Sequence, residues 1–419
     1  MPARRTQPVR LKRVFFFVFG LLTLFAISVK EPPSVAAAAE DRYRLVFPTG
    51  SEGKFYRQDK KTGRVELLAA DHSMLVNFVA QLNEAGARGY KLVAVTYTVM
   101  PVAVMELGGA RYEYEWFETA SSYNHALAGS EDKYAELSKR GFRFAEHLLL
   151  SSSCSDNDPN DSSAGQTCES RHLFLLVREK GVEKPTGYFL ATLTGKWGGA
   201  PGAELTALIR QKLDEGYSPV ATTAETEILF ERGDEKEEIS AGRSEALVVP
   251  GRRFWMDGDR LSDRVNERAK RGYRLALVYD RIALMYRRAD DATPAHYEWL
   301  KSTDMKNWKL ALRGRKDFEK QVAKLQARGA VYRMVYTKYE ENILVFELKG
   351  AGDGGRREYQ TLQFEFQVGL DAAGKELIID LAPQSRETIS TLNGLAGEGF
   401  EVRDMFVSPH ASVLLERTR

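Results

Sequence analysis

Six glycines, each at the end of a helix-like run of residues, recur along this chain and constrain its fold more than any other feature. Five are followed directly by an aromatic residue, and the residue seven positions before each glycine is apolar or aromatic. The glycines are Gly89, Gly141, Gly216, Gly272, Gly329 and Gly399. Their spacing of about 50 to 75 residues indicates an internal repeat. The chain is therefore predicted to consist of about six similar units.

Each of these glycines is predicted to be a structural helix cap. A helix that turns back into a strand needs a residue with positive φ just after its end, and glycine adopts that conformation without a clash at Cβ. The aromatic residue that follows, such as Tyr90 or Phe142, is placed to pack on the last helical turn. The repeated residues therefore have a structural explanation and need no catalytic one.

The same order of elements is predicted around each glycine: an aromatic-rich strand, an amphipathic helix and two further strands. Residues 112–117 alternate in the two-residue period of a strand, whereas Leu75, Phe78, Val79 and Leu82 have the spacing of one helix face. The predicted fold class is α+β, with about six tandem β-α-β-β units whose helices pack on one face of antiparallel sheets. One unit buries too little core to be stable alone, so the units pair into three lobes or form one array.

The predicted boundaries divide the chain into an export signal and six units. They are a signal peptide at 1–39, then unit 1 at 40–110, unit 2 at 111–180 with a cysteine loop at 151–170, unit 3 at 181–240, unit 4 at 241–290, unit 5 at 291–350 and unit 6 at 351–419.

The N-terminal segment has the pattern of an export signal. Basic residues precede an apolar run at 14–29, and four alanines at 36–39 offer a cleavage site. A single membrane anchor is the alternative, but the run of about 16 residues is shorter than the roughly 20 that a spanning helix needs. We expect an exported protein of the bacterial envelope, periplasmic or extracellular, that touches the membrane only if the segment stays uncleaved.

The charge balance disfavours a nucleic-acid partner. The whole chain has a formal charge of +2, but residues 1–39 carry six positive side chains and one negative one. Removal of this segment leaves a net charge near −3 and no long basic block. The predicted partner is therefore an unidentified protein or envelope ligand.

The chain has two cysteines, Cys154 and Cys168, on either side of a polar, loop-forming stretch. In an oxidising compartment a disulfide is the natural interpretation, and it would contribute about 3 kcal/mol by closing a loop of about 15 residues. A free thiol pair or a metal site is the alternative, although two thiolates alone make a poor zinc site.

The repeat resembles an uncharacterised family of small bacterial domains of unknown function. Members of that family run Tyr-Glu-Tyr, then Leu-Asn-x-Leu, then Gly-Trp-Glu-Leu-Val. The segments of this chain that match best are 112–114, 82–83, 392–395, 398–402 and 414–417. The resemblance implies the fold and no activity, because the family has no established one.

The chain has no recognisable catalytic, metal or cofactor motif. None of its six histidines, His72, His125, His147, His172, His296 and His410, has metalloprotease spacing. His147 and His172 flank the cysteine loop and are predicted to face each other across a hairpin; paired surface histidines are favoured over a site. The acidic residues Asp156, Asp158 and Asp161 do not fit a calcium loop. The abundant aromatic residues are predicted to fill a core, with an exposed ligand platform as the alternative.

Two functions remain open at this stage. The favoured one is an exported, non-enzymatic repeat protein that binds or scaffolds in the cell envelope, without a cofactor. The alternative is an exported hydrolase whose site is assembled between units. A pocket that holds His147, His172 and a carboxylate would favour the hydrolase.

Overall fold

The computed structural model describes most of the chain after residue 40. The described residues are 41–49, 56–58, 65–67, 72–98, 100–122, 127, 130–156, 166–192, 203–224, 227–232, 244–250, 261–279, 282–288, 293–302, 308–338, 341–349, 357–370, 377–381, 383–407 and 411–419. They form six helices and 22 strands. The predicted export signal lies outside them.

The N-terminal part of the described chain contains three helices and eleven strands. These are β1 (Tyr43–Val46), β2 (Tyr56–Gln58), β3 (Val65–Leu67), α1 (His72–Ala87), β4 (Tyr90–Tyr97), β5 (Pro101–Leu107), β6 (Tyr112–Ser122), α2 (Glu131–Lys139), β7 (Arg143–Asp156), β8 (Gln166–Glu179), β9 (Tyr188–Thr192), α3 (Ala203–Asp214), β10 (Tyr217–Ala224) and β11 (Glu227–Arg232).

The C-terminal part contains the other three helices and eleven strands. These are β12 (Ser244–Pro250), α4 (Leu261–Ala269), β13 (Arg274–Tyr279), β14 (Ile282–Arg288), β15 (Ala295–Lys301), α5 (Trp308–Ala327), β16 (Val331–Lys338), β17 (Glu341–Lys349), β18 (Arg357–Phe364), β19 (Phe366–Leu370), β20 (Leu377–Leu381), α6 (Pro383–Gly397), β21 (Glu401–Val407) and β22 (Ala411–Thr418).

Six three-stranded antiparallel sheets share one strand order. We number them 1 to 6 along the chain: β1-β5-β4, β6-β8-β7, β9-β11-β10, β12-β14-β13, β15-β17-β16 and β18-β22-β21. In each sheet the strand that comes last in the chain is central, and the helix lies between the first two strands in sequence. The mixed α+β class with antiparallel sheets is confirmed. Two extra hairpins, β2-β3 and β19-β20, were not predicted.

The sheets are arranged in a closed ring. The second strand of each sheet contacts its counterpart in the next sheet, from β4 to β7, β10, β13, β16 and β21, and β21 contacts β4. We call these six the inner strands. Helices α1, α3, α4, α5 and α6 contact the first strand of the following sheet, and for α6 that strand is β1. The six described sheets therefore form one continuous cyclic array without an open end, as the blades of a β-propeller do.

The hydrophobic core is divided among the junctions between sheets. The largest cluster joins sheet 1 to sheets 2 and 6, and four further clusters join sheets 2 and 3, 3 and 4, 4 and 5, and 5 and 6. Tyr43, Tyr134 and Tyr297 are fully buried within these clusters. Because the clusters lie between neighbours, each sheet depends on the next one for its core.

All six repeated glycines have positive φ, between +71° and +95°. At Gly141, the N–H of Phe142 donates to the carbonyl of Leu137 at 3.1 Å, the bond that closes a Schellman cap. Four residues after each glycine, every inner strand has a register irregularity that inserts one extra residue. The inserted residues are Val93, Ala145, Val220, Ala276, Arg333 and Arg403. A bulge bends and twists its strand, which suits strands that curve around a ring.

The bulge leaves a backbone N–H without a partner in its own sheet, and the next sheet supplies one. Leu92 N–H donates to the hydroxyl of Tyr114 at 2.7 Å, and Asn83 in α1 binds both the N–H and the carbonyl of that tyrosine. We call this set of contacts the tyrosine bracket. The full bracket recurs at Tyr297 and Tyr43. At Tyr359 the hydroxyl again accepts from the bulge N–H, and Gln326 takes the place of asparagine in accepting from the backbone N–H of the tyrosine.

The other two junctions between sheets lack the tyrosine bracket, and each lacks it for a different reason. At the junction of sheets 3 and 4 the bulge residue with the equivalent N–H is Pro219, which has none, and the place of the tyrosine is taken by Ala246. At the junction of sheets 2 and 3, the N–H of Phe144 donates to the carboxylate of Glu231 at 2.7 Å. A side chain that accepts a hydrogen bond is thus present where the bulge has a backbone N–H, and none is needed where proline removes that N–H.

Candidate functional site

Three polar side chains from separate inner strands form a cluster. Glu146 comes from β7, Tyr332 from β16 and Asp404 from β21. The hydroxyl of Tyr332 donates to Asp404 Oδ2 at 2.6 Å, and Asp404 Oδ1 accepts from the N–H of Met405 at 2.8 Å. Glu146 Oε1 accepts from the N–H of His147 at 3.0 Å. We call Glu146, Tyr332 and Asp404 the inner-strand cluster.

The carboxyl groups of this cluster hold their protons unusually tightly. Burial raises the pKa of Glu146 to about 8; the bond from His147 N–H opposes this, and the negative charge of Asp404 adds to it. Burial also raises the pKa of Asp404 to about 6 against three hydrogen bonds that lower it, the one from Tyr332 foremost. At neutral pH Glu146 is therefore mostly a hydrogen-bond donor, whereas Asp404 is mostly an acceptor.

Both carboxyl groups occupy one position of the repeated pattern, the fifth residue after the glycine. At that position the other four inner strands carry apolar residues: Ala94, Ala221, Leu277 and Met334. Sequence reasoning missed Glu146 and Asp404, although an alignment of the six segments on their glycines would have found them. The signal is the presence of an acidic side chain in two units at a position where the other four units carry an apolar residue.

The predicted pairing of His147 and His172 across a hairpin is correct, but their surface location is wrong. His147 Nε2 lies 2.9 Å from His172 Nδ1, and the ring of His147 stacks on Phe174 with centroids 4.8 Å apart. Only 2% of His172 is exposed, and its Nε2 has no hydrogen-bond partner. The reason is that α2 and sheet 3 cover this face of the hairpin, because the ring places a neighbour on both faces of each sheet.

Burial lowers the pKa of both histidines, to about 4 for His172, and the charge of His172 lowers the pKa of His147 further. His147 directly follows Glu146 along β7, and successive residues of a strand point to opposite faces. The imidazole pair and the inner-strand cluster therefore lie on opposite sides of the same strand. Within the part of the chain that the structure describes, the arrangement offers groups that hold protons but does not bring a nucleophile, a base and an orienting group together.

The other histidines have separate environments. The Nδ1 of His72 lies 3.0 Å from Glu118 with its side chain 77% exposed, and His296 lies 3.5 Å from Glu298. His125 and His410 lie outside the described residues. Within the described part of the chain, no three histidine, cysteine or acidic side chains group in a way that could hold a metal ion.

Cys154 and Cys168 are directly opposite each other in the β7–β8 ladder. Strands β7 and β8 continue to Asp156 and from Gln166, so the cysteines lie on paired strands rather than in a free loop spanning 151–170. The third strand, β6, ends opposite Glu169, next to the cysteine pair. Among the described residues, the hairpin beyond that point, which we call the β7–β8 arm, has two strands. Asp158 and Asp161 lie outside the described residues.

Comparison with models of known families, with curated proteins and with solved structures finds no match. None of the helices described is long and apolar enough to cross a membrane.

Proposed function

We propose that this chain is an exported, non-enzymatic binding or scaffolding protein of the bacterial cell envelope, built from six β-α-β-β repeats closed into a ring. The observation that carries the proposal is the ring closure through Asn393 and Tyr43, which repeats the contacts of the internal junctions. A rigid ring suits a scaffold, because it holds the loops of different units at fixed positions. The resemblance to small domains of unknown function belongs to this proposal and adds no activity.

The β7–β8 arm is the element proposed to bind a partner. It is the longest hairpin among the described strands, at 14 residues in each strand, and it extends beyond the edge of its sheet. Cysteines in directly opposed positions of antiparallel strands have Cα atoms about 4.5 to 5.5 Å apart, within the range that a disulfide bridges. A bridge there would stiffen the arm and reduce the entropy lost on binding.

The test is site-specific photocrosslinking in envelope preparations from cells that express the full chain. A crosslinker at position 155 in the arm should capture a discrete partner, whereas one at Glu267 on the surface of α4 should not. Replacing residues 157–165 by a two-residue turn should abolish capture while leaving the circular dichroism spectrum unchanged. Equal capture from both positions would contradict a role for the arm. Recovery of the chain from the cytoplasm, with no new N-terminus near Ala38, would contradict export.

The inner-strand cluster supports the second candidate, a hydrolase. A protonated Glu146 near an ionised Asp404 has the two states that acid-base hydrolysis of glycosides requires. Against this role, Asp404 is already occupied by the hydroxyl of Tyr332 and by backbone N–H groups. Chromogenic glycosides and esters provide the test: turnover that Glu146→Gln abolishes would favour the hydrolase over the binding protein.

A further inference from the structure

The junction between sheets 2 and 3 lacks the tyrosine bracket. In α2 the residue six positions before the glycine is Ala135, where α1, α4 and α6 carry asparagine. The bulge N–H of Phe144 is bound instead by Glu231, which also accepts from the hydroxyl of Tyr134. A titratable carboxylate thus takes the place of a tyrosine hydroxyl that stays neutral in acid. We call this contact surface the 2–3 junction.

The imidazole pair belongs to the same junction. His172 and Phe174 alternate along β8 and share a face, and Phe174 packs in the cluster that includes Leu229 of sheet 3. His147 stacks on Phe174 from β7. The two histidines therefore border the apolar contact that joins sheet 2 to sheet 3.

The geometry of the pair allows one shared proton. One hydrogen lies between Nε2 of His147 and Nδ1 of His172 at 2.9 Å, and the neutral pair carries a second one on the outer nitrogen of the ring that accepts this bond. Burial of both rings favours this neutral state. A third ring proton creates a buried imidazolium beside another imidazole, and among the described residues Nε2 of His172 has no hydrogen-bond partner that could stabilise the charge. Separation of the sheets would expose that nitrogen to water, which solvates the charge.

We propose that the 2–3 junction is an acid-sensitive joint of the ring, which loosens when a third ring proton reaches the His147–His172 pair and makes it cationic. Sheets 2 and 3 would then separate locally, while the junctions that have a tyrosine bracket stay closed. This regulation concerns the fold itself and holds whatever the partner of the protein is.

The other titratable groups at the junction either oppose the loosening by acid or take part in hydrogen bonds within the junction. Burial raises the pKa of Glu231 and of Glu146, so both carboxyl groups favour the folded state as the pH falls and offset part of the effect. Arg143 lies near Glu231 and lowers its pKa slightly. Glu227 is fully buried and accepts from the N–H of Leu127 at 2.8 Å. The imidazole pair is thus the acid-sensitive element.

The pH window follows from the histidines. Their pKa values are lowered from the ordinary value of 6.5, to about 4 for His172, so the unfolded or opened chain binds protons that the closed junction does not. The stabilising contribution is complete above pH 6.5 and is lost as the pH falls from there to about 4.

Hydrogen exchange of the full chain, corrected for intrinsic rates, tests the proposal between pH 7.5 and 4.5. Exchange at Phe144 in the 2–3 junction should rise at least roughly tenfold more than at Tyr332, which is bracketed at the 5–6 junction. The double variant His147→Gln, His172→Gln keeps hydrogen-bonding groups that do not titrate, so the selective rise should disappear. The control His296→Gln, at an exposed ion pair, should keep it.

A uniform rise at both junctions, or a selective rise that persists in the double variant, would overturn the proposal. If the double variant fails to fold, the imidazole resonances of the wild-type chain provide a second measurement. Both imidazoles should titrate well below the ordinary value of 6.5. Ordinary titration near pH 6.5 in the folded protein would also overturn it.

Discussion

Asn393 and Tyr43 are 350 residues apart in the chain, yet they close the ring. Asn393 Oδ1 accepts from Tyr43 N at 2.8 Å, Nδ2 donates to the carbonyl of Tyr43 at 3.1 Å, and the hydroxyl of Tyr43 accepts from Val402 N at 3.2 Å. Nothing covalent joins these two ends. The extra hairpins of sheets 1 and 6 also meet there, since β19 contacts β3. The closing junction therefore has an additional contact between hairpins, whereas at each of the other five junctions the chain itself connects the two sheets.

Asn393→Ala should destabilise the protein by about 2 kcal/mol, because it leaves the N–H and carbonyl of Tyr43 without partners. The matched control is Asn83→Ala, which removes the same bracket from a junction that the chain also connects. Both variants should lower the urea midpoint, but only Asn393→Ala should increase proteolysis within β1. Equal protection of β1 in the two variants would show that the bracket does not control closure.

Tyr114→Phe should cost about 1 to 3 kcal/mol, because it leaves the partly buried bulge N–H of Leu92 without its hydrogen-bond acceptor. Tyr112→Phe, two residues away on the same strand, serves as the control and should change the free energy of unfolding by less than about 0.5 kcal/mol. Chemical denaturation at pH 7 measures both. Similar losses in the two variants would mean that ring packing, rather than the hydroxyl, is what stabilises the junction.

Gly141→Ala should be more destabilising than Gly216→Ala, although both glycines have φ of +86°. A Cβ at position 141 would lie 2.9 Å from the carbonyl oxygen of Val182, whereas nothing lies within 4 Å of a Cβ at position 216. We expect a loss of about 1 kcal/mol at 216 from backbone strain alone and a clearly larger one at 141. Thermal unfolding of the two variants gives the order, and the reverse order would contradict the local geometry.

Glu146→Gln should stabilise the protein at high pH. The raised pKa means that folded Glu146 keeps a proton that the unfolded chain loses above about pH 4.5, so stability falls as the pH rises from there through about 8. The amide does not titrate, and at pH 9 the variant should be more stable than the wild type by up to about 5 kcal/mol, with little difference at pH 4. Urea titrations at pH 4, 7 and 9 measure this. The exposed Glu84→Gln is the control, and the same pH profile in both would contradict the assignment.

Cys154 and Cys168 should form a disulfide in the exported protein that stiffens the β7–β8 arm without holding the ring together. Thiol titration of the purified protein should find no free cysteine. The double change to serine should leave the circular dichroism spectrum nearly unchanged and make the arm more sensitive to proteases. Two free thiols would exclude the bridge, and failure of the double variant to fold would show that the bridge is a structural staple.

The local pattern of the sequence predicted the elements well because it depends on short-range rules. A glycine after a helix, followed by an aromatic residue, indicates a cap wherever it occurs, and all six glycines have positive φ. Apolar spacing in α1 likewise marked the face formed by Leu75, Phe78 and Leu82, which is buried. The strands of the β7–β8 arm were underestimated, because polar residues such as Ser152 and Ser155 resemble a loop when their pairing partners are unknown.

By itself, the sequence determined the α+β class, the period of the elements and the opposition of His147 and His172 across a hairpin, since each depends on residues close in the chain. Tertiary structure alone decided that the array closes, because Asn393 and Tyr43 meet only through the accumulated rotation of six sheets. It also decided the burial of the histidines and the meeting of Glu146 with Asp404. Their pKa values depend on neighbours from other sheets, which no local pattern specifies.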